Sequence, residues 1–291
     1  MLILIDGSSY MHRAFHIHKH LSRASDGQPV GAVFGFTKLV WDLRHRHDHT
    51  HIAVVFDGKG GSHKRFALHS AYKGNRQERD AAFTSQHGLV RKAAGALALP
   101  CVEPPGHEAD DVIATIARKG NEAGLDVTIF TNDKDFMQLL RPGLSIFDWL
   151  KGRYLTEDDC LAKFGVAPRL VPHVQALWGD AIDNIPGVPG VGTVNGRKLI
   201  NRWGGLEEAL AGLAASESCG CTPQIRAAIL ANAEAARLSL QLATLYDNAD
   251  DDVPEIEALR ASPLDVEALQ AFLEEMEFVS LKRRWFGEQA A

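Results

Sequence analysis

Three short apolar runs in this chain end in an aspartate: LILID (2–6), IAVVFD (52–57) and DVTIFTND (126–133). Runs of this kind suit buried parallel strands. Helical patterns fall between them, over 32–46, 84–98 and 109–123. Strands alternating with helices imply an α/β fold with a mainly parallel sheet flanked by helices. Such sheets bind ligands at the carboxyl ends of their strands, so Asp6, Asp57 and Asp133 are aimed at one edge. Aspartate is also a favoured helix cap. Capping accounts for any one of the three, and less well for all of them together with the acids that follow.

The stretch PPGHEADDVIATIARKG (104–120) adds Glu108, Asp110 and Asp111 at a helix start, where acids also favour the helix dipole. Glu108 and Asp111 share a helical face, whereas Asp110 points elsewhere unless it precedes the regular helix. TNDKDFMQLL adds Asp135, and GDAIDNIPGVPGVG (179–192) adds Asp180 and Asp183. No histidine or cysteine accompanies these acids at ligand spacing. Oxygen-only donors suit magnesium, or manganese in its place, rather than zinc. Carboxylates so concentrated raise one another's pKa unless cations offset them. Two divalent ions roughly 4 Å apart would do so, and would equip the site for phosphodiester hydrolysis. Magnesium keeps several waters, so some of the acids would act through water. There is no GxxxxGK[ST] loop, which argues against a P-loop nucleotide hydrolase. DGKGG (57–61) follows an acid-tipped strand without opening an apolar helix, and reads as a loop.

After about residue 155 the strand signals fade, and helical segments follow at 156–163, 168–178, 193–202, 206–214, 223–246 and 264–275. They predict a smaller, mostly helical region. The tail FLEEMEFVSLKRRWFG (272–287) reads as a terminal docking segment. IPGVPGVGTVNGRKL (185–199) fits a helix-hairpin-helix pattern. Gly190 and Gly192 give a tight turn with bare N–H groups. The amides at the start of the helix from Thr193 suit a phosphate. Gly196 lets two helices pack closely, and Arg197 and Lys198 add charge. Backbone contacts carry no base information, so binding should be salt-sensitive and independent of sequence.

The segment KGGSHKRFALHSAYKGNRQERDAAFTSQ (59–86) follows Asp57 directly. It carries Lys59, Lys64, Arg65, Lys73, Arg76 and Arg79, with Phe66 and Tyr72 interleaved. Basic residues with aromatics beside a carboxylate edge suggest phosphate contacts and a base-stacking platform. A solvated amphipathic helix is the plainer reading for each arginine alone. The net charge of −6 argues by itself against a nucleic-acid binder. It decides little, because distribution matters more than the sum. No stretch reaches the roughly 18 apolar residues of a membrane span, and MLILID is too short for a signal-peptide core. The cysteines are Cys101, Cys160, Cys219 and Cys221; CGC (219–221) is too tight for a zinc knuckle, and all read as reduced thiols of a cytoplasmic protein.

Together, LIDGSSYMHRAFH, VVFDGKGG, YKGNR, GHEADDVIATIA, TNDKDF and GDAIDNIPGVPGVGTVNGRKLI resemble the motifs of the 5′-nuclease (flap endonuclease) superfamily. The likeness is to the bacterial and phage branch that includes the N-terminal nuclease domain of DNA polymerase I. The motifs occur in the family's order over most of the chain, and the set is specific although no single piece is. The resemblance implies a PIN-like nuclease domain over 1–165 with a helical arch about 59–86. It implies a helical DNA-binding region over 166–291 with a helix-hairpin-helix (H3TH) motif about 183–202. The implied activity is that of a magnesium-dependent, two-metal 5′-3′ exonuclease and flap endonuclease. Such an enzyme cleaves phosphodiesters at 5′ flaps and 5′ ends of branched or duplex DNA, in replication and repair.

By the same resemblance, Asp6, Asp57, Glu108, Asp110, Asp111, Asp133 and Asp135 build the first metal site. Asp133, Asp135, Asp180 and Asp183 build or support the second. Lys73 is expected on the scissile phosphate, Tyr72 as a stacking residue, Arg65 and Arg76 as phosphate contacts, and Arg13 facing substrate phosphate. Potassium is expected on the hairpin carbonyls. The GKGG after Asp57 is slightly longer than in the polymerase-linked form. No polymerase domain follows, which points to a stand-alone, monomeric nuclease. Two alternatives stay open: a non-catalytic branched-DNA module, against which the intact acids weigh, and a PIN-type ribonuclease, which would not need the hairpin.

Overall fold

A computed structural model describes residues 1–76, 80–216 and 220–287. Arg79 and Cys219 lie outside the described residues. In chain order the elements begin β1 (Leu2–Asp6), α1 (Gly7–Ile17), α2 (Gly31–Arg46), β2 (His51–Val55), α3 (His63–Leu68), α4 (Ala81–Thr84), α5 (His87–Ala96), β3 (Cys101–Val102), α6 (Ala109–Glu122) and β4 (Val127–Phe130). They continue with β5 (Leu144–Asp148), β6 (Arg153–Leu155), α7 (Glu157–Phe164), α8 (Val171–Trp178), α9 (Thr193–Trp203) and α10 (Leu206–Ala215). The last are α11 (Pro223–Ala231), α12 (Ala233–Ala243), α13 (Val266–Glu275) and α14 (Val279–Phe286). Two compact units result: Met1–Lys59, Glu78–Thr131 and Asp247–Ala291 form the first, Gly60–Gln77 and Asn132–Tyr246 the second.

The first unit holds four parallel strands in the order β3-β2-β1-β4, with Leu4 opposite both Ala53 and Ile129, and Val54 opposite Cys101. Every residue of β1 and β2 is buried, which is why both read as unbroken apolar runs rather than alternating ones. Ile5, Phe36, Val54, Ile113 and Phe130 lie in this core. The chain turns from β1 into α1 through Gly7, where a Cβ would come within 2.6 Å of the Phe56 ring. The basic tail forms α14, whose Trp285 stacks on Trp41 of α2 at 4.2 Å between ring centroids. Among the described residues no helix is long and apolar enough to cross a membrane.

The second unit opens its sheet contribution with an antiparallel pair, β5 with β6, Ile146 opposite Leu155. Sequence patterning did not foresee this pair. Helices α7 to α12 follow, with α8 packed on both α9 and α12. The long helix expected over 223–246 is two helices, broken at Asn232, whose side chain turns back to donate to Ala228 O at 2.8 Å. An asparagine that bonds its own turn in this way competes with helix propagation.

Candidate functional site

In the first unit Asp6 closes β1 and caps α1. Its Oδ1 accepts from Ser9 N at 2.9 Å and its Oδ2 from Thr131 Oγ1 at 2.7 Å. The capping role is therefore real for Asp6, and its second oxygen is also engaged. Asp57 is exposed and accepts from Ser8 Oγ at 2.9 Å and from Ala109 N at 3.0 Å. Gly58 N donates to His107 O at 3.0 Å and Gly106 N to Lys59 O at 2.9 Å. A Cβ on Gly58 would sit 1.9 Å from Pro104 O, so glycine is needed for this close approach of backbones. The loop after β2 is thereby fastened to the loop before α6, and Asp57 is carried to the start of that helix. Glu108 holds the cap position of α6; Glu108 and Asp111 are buried and Asp110 is half-buried. Arg13 lies exposed on α1.

In the second unit Asp133 caps a 3-10 turn, Lys134–Leu139, its Oδ1 accepting from Asp135 N at 2.9 Å. Lys134 Nζ donates to Asp135 Oδ1 at 3.0 Å and to Asp180 Oδ2. Gln175 Nε2, from α8, donates to the same two oxygens at 2.9 and 3.3 Å. Burial, then the charge of Asp133, push the Asp135 carboxyl up to about 6, with Asp180 adding to the rise and Lys134 only partly offsetting it. Burial also works against ionised Asp180, but the Lys134 hydrogen bond and charge, the Ile182 amide and Gln175 hold its pKa below the ordinary 3.8. Burial works against the Lys134 cation as well, and the two carboxylates outweigh it and raise its pKa. Neither Lys134 nor Gln175 was foreseen as part of the site. The available signals were a lysine lodged between site aspartates in NDKD and a single amide inside the apolar VPHVQALW.

Asp180 and Ile185 close a tight backbone hairpin, N to O at 2.9 and 2.8 Å in the two directions. Asp183 rides on its loop. The YKGNR turn docks there: Lys73 N donates to Asp183 O at 2.9 Å, Asn75 Nδ2 to Ala181 O at 2.7 Å, and Asn184 Nδ2 to Ala71 O at 2.6 Å. The Asp183 carboxylate takes Arg76 at 2.7 Å and lies 3.9 Å from Lys73 Nζ. Arg76 remains 51% exposed, and Lys73 holds a left-handed backbone at φ 53°. An acid pair and two basic residues of the segment after Asp57 thus share one small hairpin.

Three expected nucleic-acid contacts are placed otherwise. Arg65 is 2% exposed; its guanidinium donates to Leu242 O at 3.1 Å and Thr244 O at 2.9 Å and lies over the rings of Tyr72 and Tyr246. It closes the carbonyl end of α12 rather than facing solvent phosphate. Tyr72 is also 2% exposed, packed with Ile185, Leu242 and Ala243, because a ring of this size gains more by burial than by waiting in solvent for a base. Arg197 donates to Phe164 O at 2.8 Å and Lys163 O at 2.6 Å, where it closes the end of α7.

The hairpin before α9 keeps its bare backbone. Gly190 has φ 81°, which favours glycine, whereas Gly192 is extended at φ −88°. No heavy atom lies within 4 Å of a Cβ built at either position. Neither conformation nor packing demands glycine at 192, so its missing side chain leaves the N-terminus of α9 open. Gly190, Gly192, Thr193 and Lys198 are exposed there. Gly196 faces α8, where a Cβ would meet the Trp178 ring at 3.0 Å.

Among the described residues no three His, Cys, Asp or Glu side chains are gathered as a ready metal cage. In the second unit an ammonium bridges the acids instead. The residues still fit a hard divalent cation. The donors are all oxygens, burial and then the charge of Asp133 raise the Asp135 carboxyl, and the buried Gln175 Oε1 has no hydrogen-bond partner among the described residues.

Two family models match the chain: "5'-3' exonuclease, N-terminal resolvase-like domain" over residues 1–165 and "5'-3' exonuclease, C-terminal SAM fold" over residues 166–267. A DNA polymerase I of Rhizobium leguminosarum is 39% identical over 97% of the chain, which spans only 28% of that polymerase. A 5′-3′ exonuclease of Aquifex aeolicus is 31% identical over 96% of the chain and 93% of its own length. Among solved structures, the T5 5′-exonuclease described with bound zinc superposes with a TM-score of 0.73 at 20% identity, covering 96% of this chain and 99% of that one. The catalytic core of Rad2 in complex with DNA substrate gives 0.58 at 15% identity, covering 94% and 87%. These two show likeness of fold.

Proposed function

This chain belongs to the 5′-3′ exonuclease family, and from that premise we propose that it is a structure-selective 5′-nuclease of replication and repair. It cuts phosphodiesters at 5′ flaps and at 5′ ends of branched or duplex DNA. The observation that carries the proposal is the run from Asp180 to Lys198 in the second unit. One hairpin bears the acids Asp180 and Asp183 and the docked Lys73 and Arg76, and passes within a few residues to the open N-terminus of α9. The chain that grips a phosphate backbone is continuous with the chain that presents the acids.

Asp6, Asp57, Glu108, Asp110 and Asp111 in the first unit, and Asp133, Asp135, Asp180 and Asp183 in the second, are the proposed ligands of divalent cations, with magnesium the natural choice for such donors. When bound, those cations supply an activated water and charge on the leaving oxygen. Lys73 and Arg76 offset charge on the phosphate at the cut, and Asp183 aims both by pairing with them. The α9 amides and Lys198 hold a duplex phosphate without reading bases. Potassium on the hairpin carbonyls and a monomeric state belong to the same proposal. Arg65, Tyr72 and Arg197 act as positioning residues.

A labelled double-flap DNA, incubated with and without magnesium or manganese, tests the reading. Product only with the metal is expected, and none with Asp133→Asn. Tight flap binding with no product under any divalent metal would refute catalysis. Faster cutting of single-stranded RNA than of flap DNA would point to the ribonuclease instead. Magnesium is also expected to raise the melting temperature, since ions bind the folded acids and not the unfolded chain.

A further inference from the structure

We propose that Lys134 is a resident counter-ion, which holds the Asp135 and Asp180 carboxylates together in the metal-free protein and is expelled when a divalent cation takes its place. The inference rests on the reading of these acids as cation ligands. Lys134 Nζ and Gln175 Nε2 both donate to Asp135 Oδ1 and Asp180 Oδ2, so two donors and two acceptors close a ring. The second oxygen of Asp180 already accepts from Ile182 N at 2.8 Å. The oxygens that the two acids turn toward each other are therefore filled by N–H groups. Bare, the pair would repel itself; bridged, it keeps its spacing.

The two donors are mounted differently. Gln175 is 2% exposed on the regular helix α8, and its Oε1 is buried without a hydrogen-bond partner among the described residues. Lys134 begins a 3-10 turn, and its side chain is 25% exposed on a long, flexible stem. An ammonium and a dication repel each other and compete for the same lone pairs, so the mobile donor leaves. With its stem held on α8, the Gln175 amide turns only about its last side-chain bond, which presents its oxygen, unsatisfied among the described residues, toward the arriving positive charge. The lysine thereby sets a threshold: a cation enters only if it binds the two carboxylates better than the chain's own ammonium does, which favours divalent over monovalent ions.

Two measurements on the full chain test this. Amine labelling of the wild type is read by mass spectrometry at Lys134 across a manganese titration followed by calorimetry. Labelling at Lys134 is expected to rise as manganese binds, while other lysines stay constant. In parallel, Lys134→Met is expected to bind manganese about tenfold more tightly, with a lower metal-free melting temperature that approaches the wild type at saturation. Lys134→Arg, which retains the charge, is expected to stay near wild-type affinity. If manganese binds while Lys134 labelling stays flat or falls, the lysine remains beside the ion and the proposal is overturned. An unchanged or weaker affinity in Lys134→Met overturns it equally. If Lys134→Met does not fold without metal, the wild-type labelling decides alone. No manganese binding by the wild type overturns the cation-ligand reading itself.

Discussion

Replacing Arg65 by alanine separates a buried anchor from a surface phosphate contact. The guanidinium donates to Leu242 O and Thr244 O, among other contacts, and lies over two tyrosine rings. Hydrogen bonds to a charged group are worth roughly 1.5–3 kcal/mol each. Truncation also leaves two carbonyls unsatisfied at the end of α12 and opens a void. An expected loss of about 3–5 kcal/mol follows, or a fall in Tm of roughly 6–15 °C for a chain of this size. Arg65→Lys should recover less than half, because a point charge does not span two carbonyls as a planar fork does. Urea denaturation gives the stability change. Flap-DNA affinity against salt gives the second readout, since losing one phosphate contact lowers the slope by about 0.9. For Arg65→Ala the slope should be unchanged at temperatures where the variant is folded. For Lys198→Ala the slope should fall by about one unit, with stability within about 0.5 kcal/mol of wild type. An Arg65→Ala protein with wild-type stability and a lost unit of salt slope would refute the burial reasoning.

Gly187→Ala should destabilise by about 3 kcal/mol or more, since φ is 63° and the new Cβ would meet Gly179 N at 2.3 Å; a wild-type thermal melt would contradict this. Gly192→Ala, with φ −88° and open space, should leave the melt within about 0.5 kcal/mol yet weaken flap binding measured by anisotropy; unchanged binding would remove the α9 amides from the interface. Asp183→Asn removes the negative charge that Arg76 and Lys73 share, and cleavage should fall by about 100-fold or more while metal-free DNA binding is retained; near wild-type cleavage would count against the assignment. Asp159 is held well below its ordinary 3.8, first by the Arg153 hydrogen bond and then by the Thr156 amide. Its contribution is thus present above about pH 4 and lost as pH falls through the folded-state value. Asp159→Asn should cost about 1 kcal/mol near neutrality, because the pair is partly solvated, with the gap narrowing in acid; a gap independent of pH would refute the ion pairing.

The α/β architecture was legible because its signals are local. LILID and IAVVFD are buried on both faces, and burial of that kind writes a continuous apolar run into the sequence. The antiparallel pair β5–β6 was not legible: β6 is only three residues long with one buried, and the connecting WLKG offers a single glycine, Gly152 at φ 65°, without the Asn-Gly or Asp-Gly pair of a two-residue hairpin. The break at Asn232 was hidden for a related reason, since helical periodicity continues on both sides of it. Both were decided by side chains whose partners the pattern does not name.

The acids were identifiable one by one. Asp6, Asp57, Glu108, Asp110, Asp111, Asp133 and Asp135 stand near the end of a strand or the start of a helical turn, where local sequence dictates position, whereas Asp180 and Asp183 lie on the hairpin after α8. The partners of the basic residues were not identifiable. Arg65 pairs with carbonyls 177 and 179 residues away, Lys134 with an aspartate 46 residues away, and Arg76 with one 107 residues away. A sequence shows that an arginine is present and charged. Whether that charge meets solvent, a buried carbonyl or a carboxylate depends on which distant segment packs against it. The sequence alone therefore determined the parallel strands β1, β2 and β4 and the bare hairpin, and placed the acids along the chain. Only the tertiary structure decided which cations already have partners, because desolvation and pairing are properties of contacts made across the fold.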